Sequence, residues 1–187
     1  MTTTATKLLT AEEYASLDHL SGPTELIRGV IVELNQPYPR HGEICAELTF
    51  LIQSHAKKHR LGRVLINDSG FITERDPDTV RGPDVAFISF QKTPPGPLPE
   101  GYLEVVPDIA FEVMSPSDRW SEVLKKVGEF LAAGVAAVCV LNPETETVQI
   151  FQDKSAQESG HPLSGDDLVT FPEQLPGFAC PAKQFFA

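Results

Sequence analysis

Two acids of this chain sit inside otherwise apolar runs. Residues 82–88 read "GPDVAFI", and residues 106–118 read "VPDIAFEVMSPSD". Side chains alternate along an extended strand, so Ile109, Phe111 and Val113 share one face while Ala110, Glu112 and Met114 share the other. The same rule puts Asp84, Ala86 and Ile88 together. Each strand then carries one carboxylate two positions from an alanine. If the strands are neighbours, Asp84 and Glu112 face one small gap. Two carboxylates held that close repel, and a bound divalent cation removes the conflict. Oxygen ligands of this kind suit Mg2+ or Mn2+, which take one or two carboxylates along with waters and phosphate oxygens. Each acid also has a plainer reading. Glu112 can be a solvent-facing acid of an edge strand, and Asp84 a turn residue after Gly82-Pro83.

The next segment supplies a cation. At 100° per residue, Trp120, Val123, Leu124, Val127, Phe130 and Leu131 form one apolar helix face. Lys125 falls nearly opposite it, as a solvated lysine would. Lys126 falls at its boundary. From there a lysine can lay its stem on the sheet and carry its ammonium to a strand end. Lys126 is therefore the candidate, with a plain surface lysine as the alternative.

These residues need elements to position them. Thr10 and Glu13 form a capping box for a helix over 10–17. Two short strands flank Arg28-Gly29 within 24–34, followed by a loop at "QPYPRHG". An apolar face at Ile44, Leu48, Leu51 and Ile52 predicts a helix over 43–59, with Gly62 as its stop. "RVLINDSGFIT" reads as a strand pair or one bent strand, and 84–90 as a strand. The proline-rich stretch 91–107 is long for a turn and is expected to form a rim or lid. A strand over 108–114 leads to a helix over 119–133, capped by Ser117 or Asp118 and ended by Gly134. Two apolar strands follow at "AAVCVLNP" and "TVQIFQ", then a polar turn region over 153–167. The tail adds one strand and a docking segment. This order predicts an α+β fold with a mixed sheet flanked by helices.

At 187 residues the chain is expected to form one domain, 1–187. A net charge of -11 argues against bulk electrostatic attachment to nucleic acid but leaves room for a local basic patch and for divalent cations. Cys45, Cys139 and Cys180 have no zinc spacing and read as reduced thiols. No apolar run is long enough to span a bilayer, and "MTTTATKLLT" lacks a signal-peptide core. The expectation is a cytoplasmic protein with no membrane span.

The series "ELIRGVIVEL", "PRHGEI" before a helix, "RGPDVAFI", "PDIAFEVMSPSD", a helical lysine before "GV", and a late "LPGF" resembles the bacterial family of restriction endonuclease-like proteins in the PD-(D/E)XK nuclease superfamily. The resemblance runs from about Leu8 to Phe186. It implies a restriction endonuclease-like fold and a nuclease acting on nucleic acid, with DNA as the first substrate. It also implies Asp84 and Glu112 as metal ligands, with the carbonyl of Val113 as a further one. A plain (D/E)XK tripeptide would put lysine at 114, where this chain has Met114. The family carries its lysine on the following helix, which matches Lys126. That lysine would position the attacking water and steady phosphoryl charge. Glu25 matches the family's early glutamate and would support the site or pair with a surface lysine. His41 matches its "HG" before a helix and would touch the site or simply bond within the loop. Asn142 stands where an acid is common. By fold-level analogy, such nucleases act as homodimers.

His55 and His59 share the spacing of a zinc-protease helix, but Ala56 stands where the general base belongs, so a zinc site there is disfavoured. Two functional readings remain. One is a Mg2+- or Mn2+-dependent endonuclease using Asp84, Glu112, Lys126 and Glu25. The other is an inactive module on the same fold that binds nucleic acid or a protein partner.

Overall fold

In a computed structural model, described for residues 7–17, 20, 22–152 and 161–187, helix α1 (Ala11–Ala15) starts at the expected capping box. The Thr10 hydroxyl accepts from the Glu13 N–H at 3.1 Å, and the Glu13 carboxylate accepts from the Thr10 N–H at 3.0 Å. Strands β1 (Thr24–Ile27) and β2 (Val30–Glu33) form a hairpin whose turn has positive φ at Arg28 and Gly29. With β4 (Phe71–Glu74) and β5 (Thr79–Arg81) they make a four-stranded sheet in the order β2-β1-β5-β4.

The second sheet is the centre of the fold. Strands β3 (Gly62–Ile66), β6 (Val85–Ser89), β7 (Ile109–Val113), β8 (Ala137–Asn142), β9 (Thr147–Phe151) and β10 (Leu163–Ser164) lie in the order β10-β9-β8-β7-β6-β3. The β7–β8 pair is parallel and the others antiparallel, so the sheet is mixed. Helix α2 (Pro39–His59) covers one face through Ile44, Leu48, Ile52 and Ala56, packed with Val85, Phe87, Ile109 and Phe111. A terminal hairpin, β11 (Leu168–Phe171) and β12 (Leu175–Pro181), joins that layer. Helix α3 (Trp120–Ala133) covers the other face through Val127, Phe130 and Leu131. Full burial of a side chain such as Phe87, Phe111 or Phe130 contributes about 2–3 kcal/mol.

Several local expectations change. Helix α2 begins at Pro39, earlier than periodicity suggests, because proline at the first turn brings a helical φ and needs no N–H partner. Its end is Arg60 in the left-handed region, not Gly62. Gly62 is needed for close approach instead: a Cβ there would lie 2.1 Å from the Ile88 carbonyl oxygen across the β3–β6 pair. Helix α3 has no side-chain cap from Ser117 or Asp118; Asp118 accepts from the Ser115 N–H at 2.7 Å and closes its own turn. "RVLINDSGFIT" is two strands in different sheets, parted at Asn67 and Asp68, both with positive φ. The tail holds two strands rather than one; its prolines sit in a two-stranded edge ribbon, where a missing N–H is tolerated. The polar turn region expected over 153–167 falls partly outside the described residues, and its described part carries β10.

Candidate active site

The β6–β7 pairing meets the condition that the two acids required. Phe87 pairs with Ile109, Ala86 with Ala110 and Val85 with Phe111, so the next step of the register sets Asp84 opposite Glu112. The apolar partners of both strands turn toward α2, and Ala110 turns toward α3. The Gly82-Pro83 turn carries Asp84 into the cleft. A Cβ at Gly82 would lie 2.2 Å from the Asp68 carbonyl oxygen, so only glycine lets these two loops meet.

Asp84 is held from two sides. Its Oδ2 accepts from the Val113 N–H at 2.6 Å, and its Oδ1 lies 3.1 Å from His41 Nε2. Glu112 meets the lysine of α3. Lys126 Nζ lies 2.9 Å from each carboxylate oxygen of Glu112 and donates to Oε2. Oε1 is buried and has no donor in hydrogen-bonding geometry. The Lys126 ammonium also donates to the Gly82 carbonyl at 3.1 Å and lies 3.5 Å from Glu25 Oε1. Its side chain is 20% exposed, against 71% for Lys125, as the helical placement of the two requires.

Glu25 comes from the other sheet and is only 3% exposed. It accepts from Arg81 and from the Gly82 N–H, the latter at 3.2 Å. Arg81 donates in turn to Glu129 of α3, with Nε at 2.9 Å. A charge chain thus runs Glu129, Arg81, Glu25, Lys126, Glu112 and ties both sheets to α3. Glu25 touches the lysine and the turn that carries Asp84, so its reach to the site is through them.

Burial drives the Glu112 carboxyl well above the ordinary carboxylate range; Lys126 pulls it down, and Asp84 and Glu25 push it further up. Burial alone would lower the Lys126 ammonium, but Glu112, then Glu25 and Asp84, outweigh it and keep the lysine charged. Desolvation at the rim, followed by the charge of Asp84, pushes Asp68 up to about 6. Burial lowers His41, yet its hydrogen bond to Asp84 and the Asp84 charge prevail and raise it. The cleft around these groups has a volume of about 490 Å³; Asp68, Asp84, Glu112, Val113 and Lys126 all line it.

Sequence reasoning missed Asp68, Arg81, Glu129 and Cys45 as neighbours of the site. Asn-Asp in "INDSG" was the available signal for a left-handed turn, but nothing in it gave the direction of the Asp68 side chain. The Cys45 Sγ lies 3.6 Å from His41 Nδ1, one helical turn away. Asn142 closes a turn, with its Oδ1 accepting from the Glu144 N–H at 2.9 Å. No residue of 91–107 lines the acid cleft, so this stretch is not its lid. Leu98 and Leu103 pack by Phe71, Ala86 and Ile88 instead, and Arg63 binds the Pro94 and Gly96 carbonyls. His55 bonds to the Pro176 carbonyl at 3.0 Å and packs against the His59 ring, a structural role for the pair. Among the described residues, the group of three His, Cys, Asp or Glu side chains whose ligand atoms all lie within 4.8 Å of one another is His41, Cys45 and Asp84. No helix among those residues is long and apolar enough to cross a membrane.

A family model named Uma2 and described as "Putative restriction endonuclease" matches residues 11–183. No curated protein matches the chain. A crystal structure from Anabaena variabilis, described as "a putative nuclease belonging to DUF820", superposes with a TM-score of 0.78 at 22% identity, covering 95% of this chain and 97% of that one. The two share the restriction endonuclease-like fold, and the mixed α+β architecture expected from the sequence is the one observed.

Proposed function

The chain belongs to the Uma2 family, and from that premise we propose that it is an endonuclease that hydrolyses phosphodiester bonds in DNA. In this reading Asp84, Glu112 and the Val113 carbonyl hold Mg2+ or Mn2+. The observation that carries it is Lys126, whose ammonium lies 2.9 Å from Glu112 in the cleft that Asp84 enters from the next strand. The donor set fits a hard cation. The ligands are oxygens. Glu112 Oε1 is buried and meets the Lys126 ammonium at 2.9 Å only outside hydrogen-bonding geometry. Asp84 keeps acceptor capacity beyond its two partners, because a carboxylate offers about four lone-pair sites. When bound, such an ion supplies a Lewis acid for the phosphoryl group and activates water.

The chain's own residues have separate tasks in this account. Lys126 donates to the attacking water or to a phosphoryl oxygen. Glu25 and the Gly82 carbonyl hold Lys126 in place, and Arg81 compensates Glu25. His41 orients Asp84. A homodimer would bring two such sites to the two strands of a duplex. A cytoplasmic setting would keep the three free cysteines reduced.

The test is nicking of supercoiled plasmid and of single-stranded DNA in Mg2+ or Mn2+, by the wild type, Asp84→Asn and Glu112→Gln. Cleavage by the wild type alone supports the reading. A folded, fully active Glu112→Gln protein would sink it. One observation favours the inactive module: the Lys126 ammonium already compensates Glu112 and Glu25 without any ion. DNA binding with no turnover in either metal would select that module.

A further inference from the structure

His41 and Cys45 stand four residues apart on α2, so their side chains share one face across a single turn. Asp84 arrives at the same point from the loop before β6. His41 Nε2 lies 3.1 Å from Asp84 Oδ1, and His41 Nδ1 lies 3.6 Å from Cys45 Sγ. One ligand atom from each residue can be chosen so that all lie within 4.8 Å of one another, and all three side chains are half-buried. In a tetrahedral zinc site with Zn–S about 2.3 Å and Zn–N or Zn–O about 2.0–2.1 Å, ligand atoms stand about 3.3–3.6 Å apart. One imidazole nitrogen binds a given ion, and His41 meets Asp84 with Nε2 but Cys45 with Nδ1, so closing the set takes a turn of the ring that gives up one of these contacts.

The ligand types decide which ion fits. A thiolate with an imidazole favours Zn2+ and Co2+ over Mg2+ or Mn2+, which prefer oxygen. This separates the set from the carboxylate pair across the cleft, although both use Asp84.

We propose that His41, Cys45 and Asp84 form a second cation site for Zn2+-class ions, and that its occupancy draws Asp84 away from the hard-cation site. The first half stands on the geometry of these three residues alone; the second half rests on the role given to Asp84 above. Binding releases the Cys45 thiol proton to solvent and leaves the oxidation state of every group unchanged. Three protein ligands leave the fourth position to water.

Cobalt reports the site without reference to catalysis. Co2+ is titrated into the wild type, Cys45→Ser, His41→Ala and Glu112→Gln, and the sulfur-to-cobalt charge-transfer band is followed in the near ultraviolet. Circular dichroism checks that each variant is folded. The expected result is a band that saturates at one equivalent in the wild type, vanishes in Cys45→Ser, weakens in His41→Ala and persists in Glu112→Gln. No band in the wild type, or one that survives Cys45→Ser, overturns the site. Excess Mg2+ is then added to the cobalt-loaded protein. Weakening of the band in the wild type but not in Glu112→Gln supports the competition for Asp84, and an unchanged wild-type band overturns it. A protein that cleaves no DNA under any condition but shows the cobalt band would separate failure of the nuclease reading from failure of this one.

Discussion

Around Arg75, three carboxylates converge on one guanidinium, with Glu12 at 3.0 Å and Asp78 and Glu104 each at 2.8 Å. In the cleft, Asp68, Asp84, Glu112 and Glu25 share the neighbourhood of a single buried ammonium. Both regions are rich in acid, yet their protons respond in opposite ways. Asp78 sits below its ordinary carboxylate range: burial opposes this, but the Ala11 N–H and Arg75 outweigh it. Glu112 and Asp68 sit above theirs, because burial and neighbouring acids outweigh the lysine. The first cluster is satisfied by its own partners and ties α1 to the β4–β5 turn. The second rests on one lysine shared between Glu112 and Glu25, and its ammonium meets the buried Glu112 Oε1 at 2.9 Å only outside hydrogen-bonding geometry. In the proposed reading, that difference is what leaves the cleft, and not the Arg75 cluster, open to a cation.

The largest effect is expected at Arg81, the residue through which the cleft is made tolerable. Arg81→Met removes the nearest cation of buried Glu25 and leaves it only the Gly82 N–H and the Lys126 ammonium, 3.5 Å away and shared with Glu112. Loss of one partner of such a pair costs about 3–5 kcal/mol. Chemical denaturation should show that loss; a change below about 1 kcal/mol, on the same scale, would mean that Glu25 escapes to solvent or neutralises cheaply.

Reading the sequence reached part of this arrangement. Period-two alternation in "DVAFI" and "DIAFEV" gives the direction of Asp84 and Glu112, because strands buried on both faces leave a side chain few places to go. The helical step on α3 separates Lys126 from Lys125 for a similar reason. Asp68 and Arg81 stayed hidden because their positions depend on two turns meeting at Gly82, a contact between loops that no periodicity encodes. Cys45 reads from the sequence only as a reduced thiol; the earlier start of α2 at Pro39 puts His41 on the helix, one turn from it.

Next in size is the contrast between the two lysines of α3. Lys126→Met should lower metal-dependent cleavage by about 100- to 1000-fold, the range for loss of a positioned transition-state donor. Lys125, 71% exposed at the margin of the cleft, makes a 3.9 Å ion pair with Glu129. Such a pair is worth little at the surface, so Lys125→Met should leave cleavage within about twofold. Equal effects in initial-rate assays would remove the distinction.

A smaller effect tests the satisfied cluster. Asp78→Ala removes bonds to the Ala11 N–H at 2.7 Å and to Arg75 at 2.8 Å. Losing both should cost about 2 kcal/mol in urea unfolding. Cleavage per folded molecule should be unchanged, because Asp78 does not line the cleft.

The smallest effect is a difference in slope. Asp78 titrates lower in the folded state, so its contribution is present above the unfolded value of 3.8 and fades as pH falls through the folded value. Asp68 titrates higher when folded, at about 6 against 3.8. The folded state therefore binds more protons between those values, and this contribution is lost as pH rises through the window. In EDTA, Asp68→Asn should flatten the decline of unfolding midpoint between pH 3.8 and about 6, and Asp78→Asn should flatten the acid side. An Asp68→Asn profile that overlays the wild type would show that Asp68 is solvated like any surface acid.

If Asp84 and Glu112 hold a hard cation, the protein should bind one in solution. Isothermal calorimetry with Mg2+ and Mn2+ decides this, on the wild type, Asp84→Asn and Glu112→Gln, each alone and with a short DNA duplex in a buffer that lacks phosphate. The expected result is binding by the wild type that both substitutions remove. Absence of binding to the wild type with the duplex present, or binding that survives both substitutions, would contradict it.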